Sequence, residues 1–398
     1  MSWKKVKLDE LCKMNSGGTP NRSNLTFYSG HIPWAKISDI ENASGGTILE
    51  TEEHLTDSGL KSINNRVFEA GTLFLAMYGS VGKVAFAGTT MSTNQAILGI
   101  RIKDEELLNY SYLKYWFQSI KSQLSERAVG GTLQNISLGI VKELEIPLPP
   151  LETQKRIADI LDAADALRQK DQELLKKYDE LAQAIFIDMF GNPVKNEKGW
   201  GKAYLKDITS KIGSGATPTG GKTAYKKKGI SLIRSMNIYD FSFKWKDLAF
   251  IDELQSTRLN NVTVQSKDVL FNITGASVCR CSIVPDEVLP ARVNQHVAII
   301  RPKSEILNPV FLNHLLVSNS IKNKLLGVGA YGGAVMEAIT KEQLQEFEII
   351  IPPVERQNEF EENINNVFGG KKIKNNSLEY SNSLFNSLIQ KAFKGELI

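Results

Sequence analysis

Two long stretches of the chain repeat their apolar residues at alternating intervals of three and four positions. Residues 151–190 contain neither proline nor glycine, and the stretch after residue 353 keeps the same period despite Gly369 and Gly370. This spacing is the heptad pattern of a coiled-coil helix, and a proline pair before each stretch suits the first helical turn. The pattern predicts a seam, meaning one buried stripe on each helix. It comprises Ile157, Ile160, Ala164, Leu167, Asp171, Leu174, Tyr178, Leu181 and Ile185 in the first helix, and Phe360, Ile364, Val367, Lys371, Lys374, Leu378, Ser381, Phe385 and Leu388 in the second.

The two predicted seams can cover each other if the helices run antiparallel. Ile157 would then face Leu388, Tyr178 would face Val367, and Asp171 would meet Lys374 halfway along. A buried charge pair of this kind fixes the register of two helices, although a parallel arrangement would also bring it together. The alternative is that each helix packs on its own globular segment. Leu161, Leu175 and Phe186 lie outside the seam, where they are expected either to dock a partner or to pack on the globular segment.

The remaining sequence predicts two α+β segments. Short β-rich runs bounded by glycine clusters occur at 73–78, 84–87 and 96–100, and again at 269–273, 282–284 and 297–300. Each set is followed by apolar residues at helical spacing. These are Leu113, Trp116, Phe117, Ile120 and Leu124 in the first set, and Phe311, Leu312, Leu315, Ile321 and Leu325 in the second.

The chain consists of two copies of a unit of roughly 200 residues. An internal repeat of this kind is considered first, because it determines how the whole fold is interpreted. The matches run from the first residues to the start of each long helix, and they drift in offset only inside the globular segments. They include Trp3 and Trp200, Gly17-Gly18-Thr19-Pro20 and Gly215-Ala216-Thr217-Pro218, Gly79-Ser80-Val81-Gly82-Lys83 and Gly275-Ala276-Ser277-Val278-Cys279-Arg280, Asn94-Gln95 and Asn294-Gln295, and Gln154 and Gln357. The predicted boundaries are 1–150, 151–198, 199–353 and 354–398, so that each α+β segment precedes one long helix.

Composition narrows the class of protein. With 398 residues, 42% hydrophobic and 23% charged, the chain is too apolar for a disordered protein and long enough for several domains. Three cysteines, Cys12, Cys279 and Cys281, cannot form a disulfide framework, and the polar start MSWKKVKLDE lacks an export signal. We therefore expect a cytoplasmic protein, and no apolar run is long enough to cross a membrane.

The net charge of +4 is unevenly distributed. Residues 1–150 carry 15 basic and 15 acidic groups, whereas residues 191–353 carry 21 basic and 14 acidic groups. A basic domain favours a polyanionic partner, because neutralising phosphates releases their counterions.

Catalytic and cofactor motifs are absent from the sequence. Residues 327–332 match the GxGxxG pattern, but the expected preceding strand is a predicted helix, and the first copy has only Val129-Gly130-Gly131 there. Gly82-Lys83 lacks the other residues of a P-loop. The four histidines and three cysteines show no metal-ligand spacing, and no Asn-Pro-Pro-aromatic motif for amino methylation is present. The sequence predicts a binding protein rather than an enzyme.

The repeated helix starts resemble a known family. PLPPLETQKRIADILDAADAL at 147–167, IIPPVERQNEFEENI at 350–364 and the closing IQKAFKGELI resemble the specificity subunits of Type I restriction-modification systems over the whole chain. The resemblance implies an α+β protein with two similar target-recognition domains, each recognising half of a split DNA sequence. It also implies two long antiparallel helices, related by an internal pseudo-two-fold repeat, that form a coiled coil and dock methyltransferase subunits. Restriction subunits would join them, and S-adenosylmethionine, ATP and Mg would belong to these partners, with no cofactor on this chain.

Candidate DNA-binding residues are cations near turns that occur in both copies, because lysine and arginine hold phosphates while other side chains contact base edges. They are Lys36 and Lys83 in the first domain, their counterparts Arg234 and Arg280 in the second, and Lys222, Lys226, Lys227 and Lys228. Alternatively these charges only solvate loops. A different class of function is also open, a coiled-coil scaffold whose paired domains bind proteins or glycans.

Overall fold

The computed structural model describes residues 3–127, 135–218, 220–329 and 338–398, and the chain divides into two compact units. Unit 1 comprises Met1–Glu173 and Asn375–Ile398, and unit 2 comprises Leu174–Lys374. Both divisions fall inside the long helices. Each unit therefore combines one globular segment with half of each helix. The boundaries predicted from sequence instead treat each long helix as a segment of its own.

Unit 1 is built around a five-stranded sheet. The strands are β1 (Lys5–Lys7), β2 (Cys12–Ser16), β3 (Tyr28–Ala35), β4 (Thr47–Ile48), β5 (Glu53–Leu55), β6 (Leu73–Ala76), β7 (Val84–Ala87), β8 (Ser92–Thr93), β9 (Ile97–Ile102) and β10 (Glu145–Pro147). The helices are α1 (Leu8–Leu11), α2 (Ile37–Ala43), α3 (Asp57–Ser62), α4 (Tyr110–Ser119), α5 (Lys121–Arg127), α6 (Leu138–Lys142) and the first half of α7 (Leu151–Phe190). The main sheet has the order β2-β9-β6-β7-β4, beside a three-stranded sheet β5-β3-β8 and the pair β1-β10.

Unit 2 repeats this plan with a four-stranded sheet. Its strands are β11 (Gly201–Tyr204), β12 (Thr209–Ser214), β13 (Ile230–Ile233), β14 (Ile238–Tyr239), β15 (Ser242–Phe243), β16 (Ala249–Ile251), β17 (Val269–Asn272), β18 (Cys281–Ile283), β19 (Ala291–Val293), β20 (Val297–Pro302) and β21 (Glu348–Ile351). Its helices are α8 (Leu205–Ile208), α9 (Glu253–Arg258), α10 (Pro309–Val317), α11 (Asn319–Gly329), α12 (Lys341–Gln345) and the first half of α13 (Val354–Lys394). The sheets are β12-β20-β17-β18, β16-β13-β19, β14-β15 and β11-β21.

The α+β fold with two long helices is as the sequence predicted, and α7 spans the predicted 151–190. Each predicted helix after the sheet is interrupted, however, at Ile120 in unit 1 and at Ser318 in unit 2. The GxGxxG match begins at the end of α11, and its later residues lie outside the described residues. Residues 129–131 of the first copy lie outside them entirely.

The long helices begin at the same bond pattern in both units. The Gln154 side chain accepts a hydrogen bond from the Asn109 amide at 2.9 Å and donates to the carbonyls of Leu107 and Pro149. Gln357 makes the equivalent bonds to Asn308, Ile306 and Pro352. A buried glutamine thus ties each helix start to its own globular segment.

The halves of α7 and α13 run antiparallel within each unit. In unit 1 the Asp171 carboxylate accepts hydrogen bonds from Ser377 and Ser381, at 3.1 and 2.8 Å. In unit 2 Lys371 pairs with Asp179 at 2.5 Å. The two long helices form the predicted coiled coil, but its register differs from the predicted one.

The register difference is clearest at Tyr178. Its ring packs against Gly370, where an added Cβ would lie 2.8 Å from the phenol oxygen, and Gly370 lies about one turn beyond the predicted partner Val367, which belongs to the same core. This contact also explains a glycine inside a helix, which costs about 1 kcal/mol relative to alanine. The pairing of Asp171 with Lys374 stays a prediction.

The seam prediction is wrong at three positions of α7. Ile160, Leu167 and Leu181 are 38, 48 and 46% exposed. The buried stripe of α7 lies beside them and contains Ile157, Leu161, Ala164, Asp171, Ala182, Phe186 and Met189, with Tyr178 half-buried. On α13, the seam residues Phe360, Ile364, Val367 and Phe385 are buried, and Lys374, Leu378 and Leu388 are half-buried.

The reason is that each half of α7 packs on two surfaces. Leu161 belongs to a core that includes Tyr115 of α4 as well as Phe385 of α13, and Phe186 contacts both Phe311 of α10 and Phe360 of α13. A helix that covers two neighbours needs a wider apolar face than a two-helix seam. Leu161 and Phe186 are therefore core residues, as in the alternative left open above, and Leu175 is half-buried.

Candidate nucleic-acid interface

A pair of loops occurs at the same place in both units. In unit 1 the Gly17 and Gly18 amides donate to the carbonyls of Ile97 and Thr93, at 3.1 and 2.9 Å. The backbones approach so closely that a Cβ on Gly17 would lie 2.2 Å from the Thr93 carbonyl oxygen. This approach brings the Thr19 hydroxyl into a hydrogen bond with the exposed amide of Gln95.

Unit 2 repeats the arrangement with its own residues. The Gly215 amide donates to Asn294 at 3.1 Å, and a Cβ there would lie 1.7 Å from the Val293 carbonyl oxygen. The Thr217 hydroxyl bonds the exposed amide of Gln295. We call each set, Thr19 with Gln95 and Thr217 with Gln295, the loop pair of its unit.

Cations and aromatic rings surround the loop pair of unit 1. Trp34 donates its indole N–H to the Gly18 carbonyl at 3.1 Å, and the Arg22 guanidinium lies 4.8 Å from the ring centres of Tyr28 and Trp34. Lys36 is close by, because the Asn94 amide bonds the carbonyl of Ala35.

Lys36 is not a free cation. Its ammonium lies 2.8 Å from Glu52 and 2.9 Å from Glu53, and Glu53 also binds Arg22 at 2.5 Å. Hydrogen bonds to Glu52 and Glu53 raise the pKa of Lys36, and the hydrogen bond from Lys36 lowers that of Glu52. An incoming phosphate would have to compete with these carboxylates.

Lys83 faces a different part of unit 1. It pairs with Glu41 at 2.6 Å and lines a crevice with Arg168 and Phe385 of the long helices. The structure does not bring it together with Lys36, although the sequence placed both in turns that recur in the second copy.

A groove of about 870 Å³ that was not predicted from the sequence adjoins the loop pair of unit 1 and is lined by several cations. Its cations are Lys13, Arg66, Arg101 and Lys103. Arg66 donates to the carbonyl of Gly17 at 2.6 Å, so the groove meets the base of the loop. The sequence held part of the signal, because the second copy repeats Lys13 and Arg101 as Lys211 and Arg301. The structure adds that the members of each pair lie directly opposite each other, on β2 and β9 and on β12 and β20.

Like charges opposite each other weaken a sheet, so this repeated pair needs an explanation. In unit 2 Asp268 binds Arg301 through two hydrogen bonds of 2.7 and 2.8 Å. Burial, reinforced by Arg301, lowers the pKa of Lys211. In unit 1 Glu69 lies 3.1 Å from Arg101, so in each unit a carboxylate offsets the charge of the arginine in the opposed pair. Lys103 and Lys303 have an additional structural role, since each binds a carbonyl oxygen of a short helix.

The predicted cations of unit 2 lie in three places. Arg234 stands over the Tyr225 ring at 5.3 Å, next to the loop pair. Lys226 pairs with Asp252 at 3.3 Å, and Lys227 and Lys228 are exposed in the following bend. The Lys222 side chain lies outside the described residues.

The remaining predicted cation of unit 2, Arg280, belongs to a cluster that was not predicted from the sequence. Its guanidinium lies 4.5 Å from the centre of the Tyr239 ring on the β14-β15 hairpin. Lys244 bonds the Tyr239 hydroxyl, and this bond lowers the pKa of the tyrosine. Trp245 beside it is half exposed. Exposed aromatic rings interleaved with cations suit contacts with bases and phosphates.

The histidine, cysteine and carboxylate side chains bear on whether the chain could hold a metal ion or present a reactive thiol. No group of histidine, cysteine and carboxylate side chains could hold a metal ion in the parts of the chain described. Burial raises the pKa of the Cys12 thiol to about 12 and raises that of Cys281 strongly. A protonated, buried thiol is a poor nucleophile. Across the same residues, no helix is long and apolar enough to pass through a bilayer.

Comparison with known proteins gives a consistent result. A family model described as the Type I restriction modification DNA specificity domain matches residues 1–177 and 197–393. The MjaIX specificity subunit of Methanocaldococcus jannaschii is 27% identical over 417 residues, covering 99% of this chain and 93% of that one. The EcoBI specificity subunit of Escherichia coli is 22% identical over 428 residues, covering 100% and 86%.

Two solved structures share the fold. One is the S subunit of a Type I restriction-modification system from M. genitalium, with a TM-score of 0.56, 14% identity and coverage of 98% and 96% of the two chains. The other comes from work on complex assembly and conformational transition of the type I R-M system, with a TM-score of 0.60, 20% identity and coverage of 100% and 98%.

Proposed function

This chain belongs to the Type I restriction-modification DNA specificity family, and from that premise we propose that it recognises a bipartite DNA sequence, one half with each unit. Membership of the family agrees with the expectation that the chain is a recognition subunit and not an enzyme. The observation that supports the bipartite target most directly is the loop pair, which occurs once in each unit with the same bond from threonine to glutamine.

The surroundings of the two loop pairs differ, which suits two different half-sites. Unit 1 has Arg22 beside both Tyr28 and Trp34, whereas unit 2 has Arg234 over Tyr225 and, at another place on the unit, the hairpin with Tyr239 and Trp245. Groups common to both units cannot distinguish two half-sites, so we assign phosphate contacts and orientation to the repeated cations and base discrimination to the elements that differ. In this proposal the long helices set the spacing between the two half-sites.

Methyltransferase subunits dock, in this proposal, on the exposed apolar residues of the long helices. Ile160 and Leu167 lie one heptad apart on α7, and Ile373 and Tyr380 are spaced in the same way on α13, at 72 and 77% exposure. Residues one heptad apart share a face that another helix can cover. Ile160 and Leu167, which the sequence assigned to the seam, thus take the docking role that was first considered for Leu161 and Phe186.

The remaining partners follow the same proposal. Restriction subunits join the methyltransferase subunits, and S-adenosylmethionine, ATP and Mg bind to those partners while this chain carries no cofactor. The assembly works in the cytoplasm, where the DNA is.

Selection of bound duplexes from a randomised library tests DNA recognition. The chain co-expressed with its methyltransferase subunit should enrich a split sequence, and its affinity should fall steeply with salt, with a log–log slope of about −0.9 per phosphate contacted. Gln95→Ala and Gln295→Ala should each weaken binding, while Gln172→Ala on the exposed face of α7 serves as the matched control. Enrichment of no sequence, with salt-insensitive binding of a protein or glycan instead, would favour the scaffold alternative.

Docking is tested separately. Ile160→Asp with Leu167→Asp should abolish co-purification of the methyltransferase subunit and leave the circular dichroism spectrum unchanged, because both side chains are exposed. Lys170→Asp, an exposed change on the same helix, should have no effect. Retention of the subunit by the double variant would contradict this docking surface.

A further inference from the structure

An exposed tryptophan follows the β14-β15 hairpin of unit 2 and has a lysine on each side in the chain. Lys244, Trp245 and Lys246 are all exposed. The tryptophan remains 50% exposed although its ring meets that of Phe243 edge to face at 5.1 Å. A large ring left half in water between two cations is unusual in a folded domain, so it needs an explanation.

The backbone on both sides of Trp245 is fixed. The buried Asn237 side chain donates hydrogen bonds to the carbonyls of Lys244 and Lys246, at 2.9 and 3.4 Å. The Lys244 amide in turn donates to the Asn237 carbonyl at 2.7 Å. A ring on a backbone held in this way loses little conformational entropy when a ligand stacks on it.

Further positive charge lies beside Lys244. Its ammonium is 3.4 Å from the Tyr239 hydroxyl. The Arg280 guanidinium lies 4.5 Å from the centre of the same tyrosine ring. Lys244, Lys246 and Arg280 thus place three cations close to one exposed aromatic ring.

The acids in the same stretch of chain, residues 238–247, offset this charge only in part. Asp240 is already paired with Lys322 at 2.5 Å. Asp247 is exposed and can offset one of the three cations. The surface around the tryptophan therefore keeps a net positive charge, which suits a ligand that carries phosphates.

Unit 1 differs at the equivalent place. Asp39 and Asn237 correspond, because each accepts a hydrogen bond from the amide three residues earlier, at 2.6 and 3.1 Å. Two residues further on, unit 2 has Tyr239, whereas unit 1 has Glu41, which pairs with Lys83 at 2.6 Å. Helix α2 continues there in place of the hairpin. The repeated fold therefore does not require the exposed tryptophan, which points to a function particular to unit 2.

A half-exposed tryptophan between two lysines suits an unpaired nucleotide better than a duplex. Neighbouring bases cover both faces of each base inside a duplex, so a protein ring cannot stack there without opening the helix. The faces are free in a single strand, where stacking on aromatic side chains combines with cations that follow the phosphates. This mode of binding tolerates any base sequence.

We propose that the hairpin surface of unit 2 binds single-stranded DNA, with one base stacked on Trp245 and the phosphates on either side bound by Lys244 and Lys246. Arg280 adds to the positive charge beside Lys244. The proposal rests on the proposed function only in taking DNA as the ligand. Half-site recognition needs a duplex of defined sequence, whereas this surface accepts any unpaired base, so the two fail or succeed in different experiments.

The probe is a short single strand of thymidines, titrated into the full chain by fluorescence anisotropy. The reference is an abasic strand with the same number of phosphates, so the ratio of the two affinities reports base stacking. Wild type should bind the thymidine strand about 5- to 100-fold more tightly, the range for one base on an aromatic side chain. Trp245→Ala should lower this ratio at least about fivefold, and Trp245→Phe should keep most of it.

Lys244→Gln should weaken binding of both strands alike. The slope of log affinity against log salt concentration should fall by about 0.7, the value for one phosphate contact in a single strand. Tyr204→Ala is the matched control, because Tyr204 is 43% exposed beside a lysine, Lys206, that is paired with Glu346 at 2.7 Å. This control should bind both strands as wild type does.

Three results would overturn the proposal. They are equal affinity of wild type for the two strands, an unchanged affinity ratio in Trp245→Ala, and no binding of the thymidine strand. The changed side chains Lys244, Trp245 and Tyr204 are exposed, so the circular dichroism spectra should match that of wild type. Neither strand contains a half-site, so these results leave the duplex selection experiment unaffected.

Discussion

Replacing His314 by phenylalanine should remove a specific part of the pH dependence of unit 2. Burial lowers the pKa of this histidine to about 4, from the ordinary histidine value of 6.5. Between these pH values the unfolded chain binds a proton at this residue and the folded chain does not. The stabilising effect of a neutral His314 is therefore complete above pH 6.5 and is lost as the pH falls toward 4.

The magnitude follows from the size of the pKa change. A change of about 2.5 pKa units corresponds to about 3 kcal/mol at 1.36 kcal/mol per unit. The histidine is 6% exposed, so solvent screening reduces this figure little. Phenylalanine keeps the aromatic contacts with Phe241 and Phe360 but cannot be protonated.

Hydrogen exchange in peptides that cover α10 provides the assay, after correction for the intrinsic pH dependence of exchange. Between pH 7 and pH 4, wild type should lose about 3 kcal/mol more protection than His314→Phe, which is a difference on the order of a hundredfold in exchange rate. His31→Gln, a change at an exposed histidine, is the control. Parallel pH profiles for wild type and His314→Phe would refute the assignment of a buried neutral imidazole.

Three further results are expected. Asp268→Asn should destabilise unit 2 by roughly 3–5 kcal/mol in urea denaturation, because it leaves Arg301 without its buried carboxylate; a change below 1 kcal/mol would contradict this. Phe186→Ala should lower the free energy of unfolding by about 3–5 kcal/mol and Ile160→Ala by less than about 1 kcal/mol, because only Phe186 is buried. A larger loss for Ile160→Ala than for Phe186→Ala would instead support the predicted seam. Lys13→Gln should reduce the slope of log affinity against log salt concentration by about 0.9, the value for one phosphate contact. An unchanged slope would show that Lys13 in the basic groove does not contact a DNA phosphate.

The α+β class, the repeat and the long helices could be predicted from sequence because each leaves a periodic signal. The position of the buried stripe on α7 could not. Ile160 and Leu161 are adjacent and both apolar, so the heptad spacing alone does not decide which one faces the core. The decision comes from the tertiary fold, in which Leu161 belongs to the same core as Tyr115 of α4.

The candidate interface was predictable only where residues are close in sequence. Lys36 was found through its turn, but its carboxylate partners arrive on β5 and the segment before it, which sequence spacing does not reveal. The basic groove depends on the cross-strand neighbours Lys13 and Arg101. These two residues are far apart in the chain, and only the strand pairing makes them one surface.

Half-site exchange is the most direct test of the central claim that two similar units recognise separate parts of one DNA target. Residues 199–353 would be replaced by the corresponding segment of a relative, and the DNA sequence methylated or bound by the resulting complex would be determined. One half of the target should change while the other half and its position stay the same. A change in both halves, or in neither, would contradict the claim.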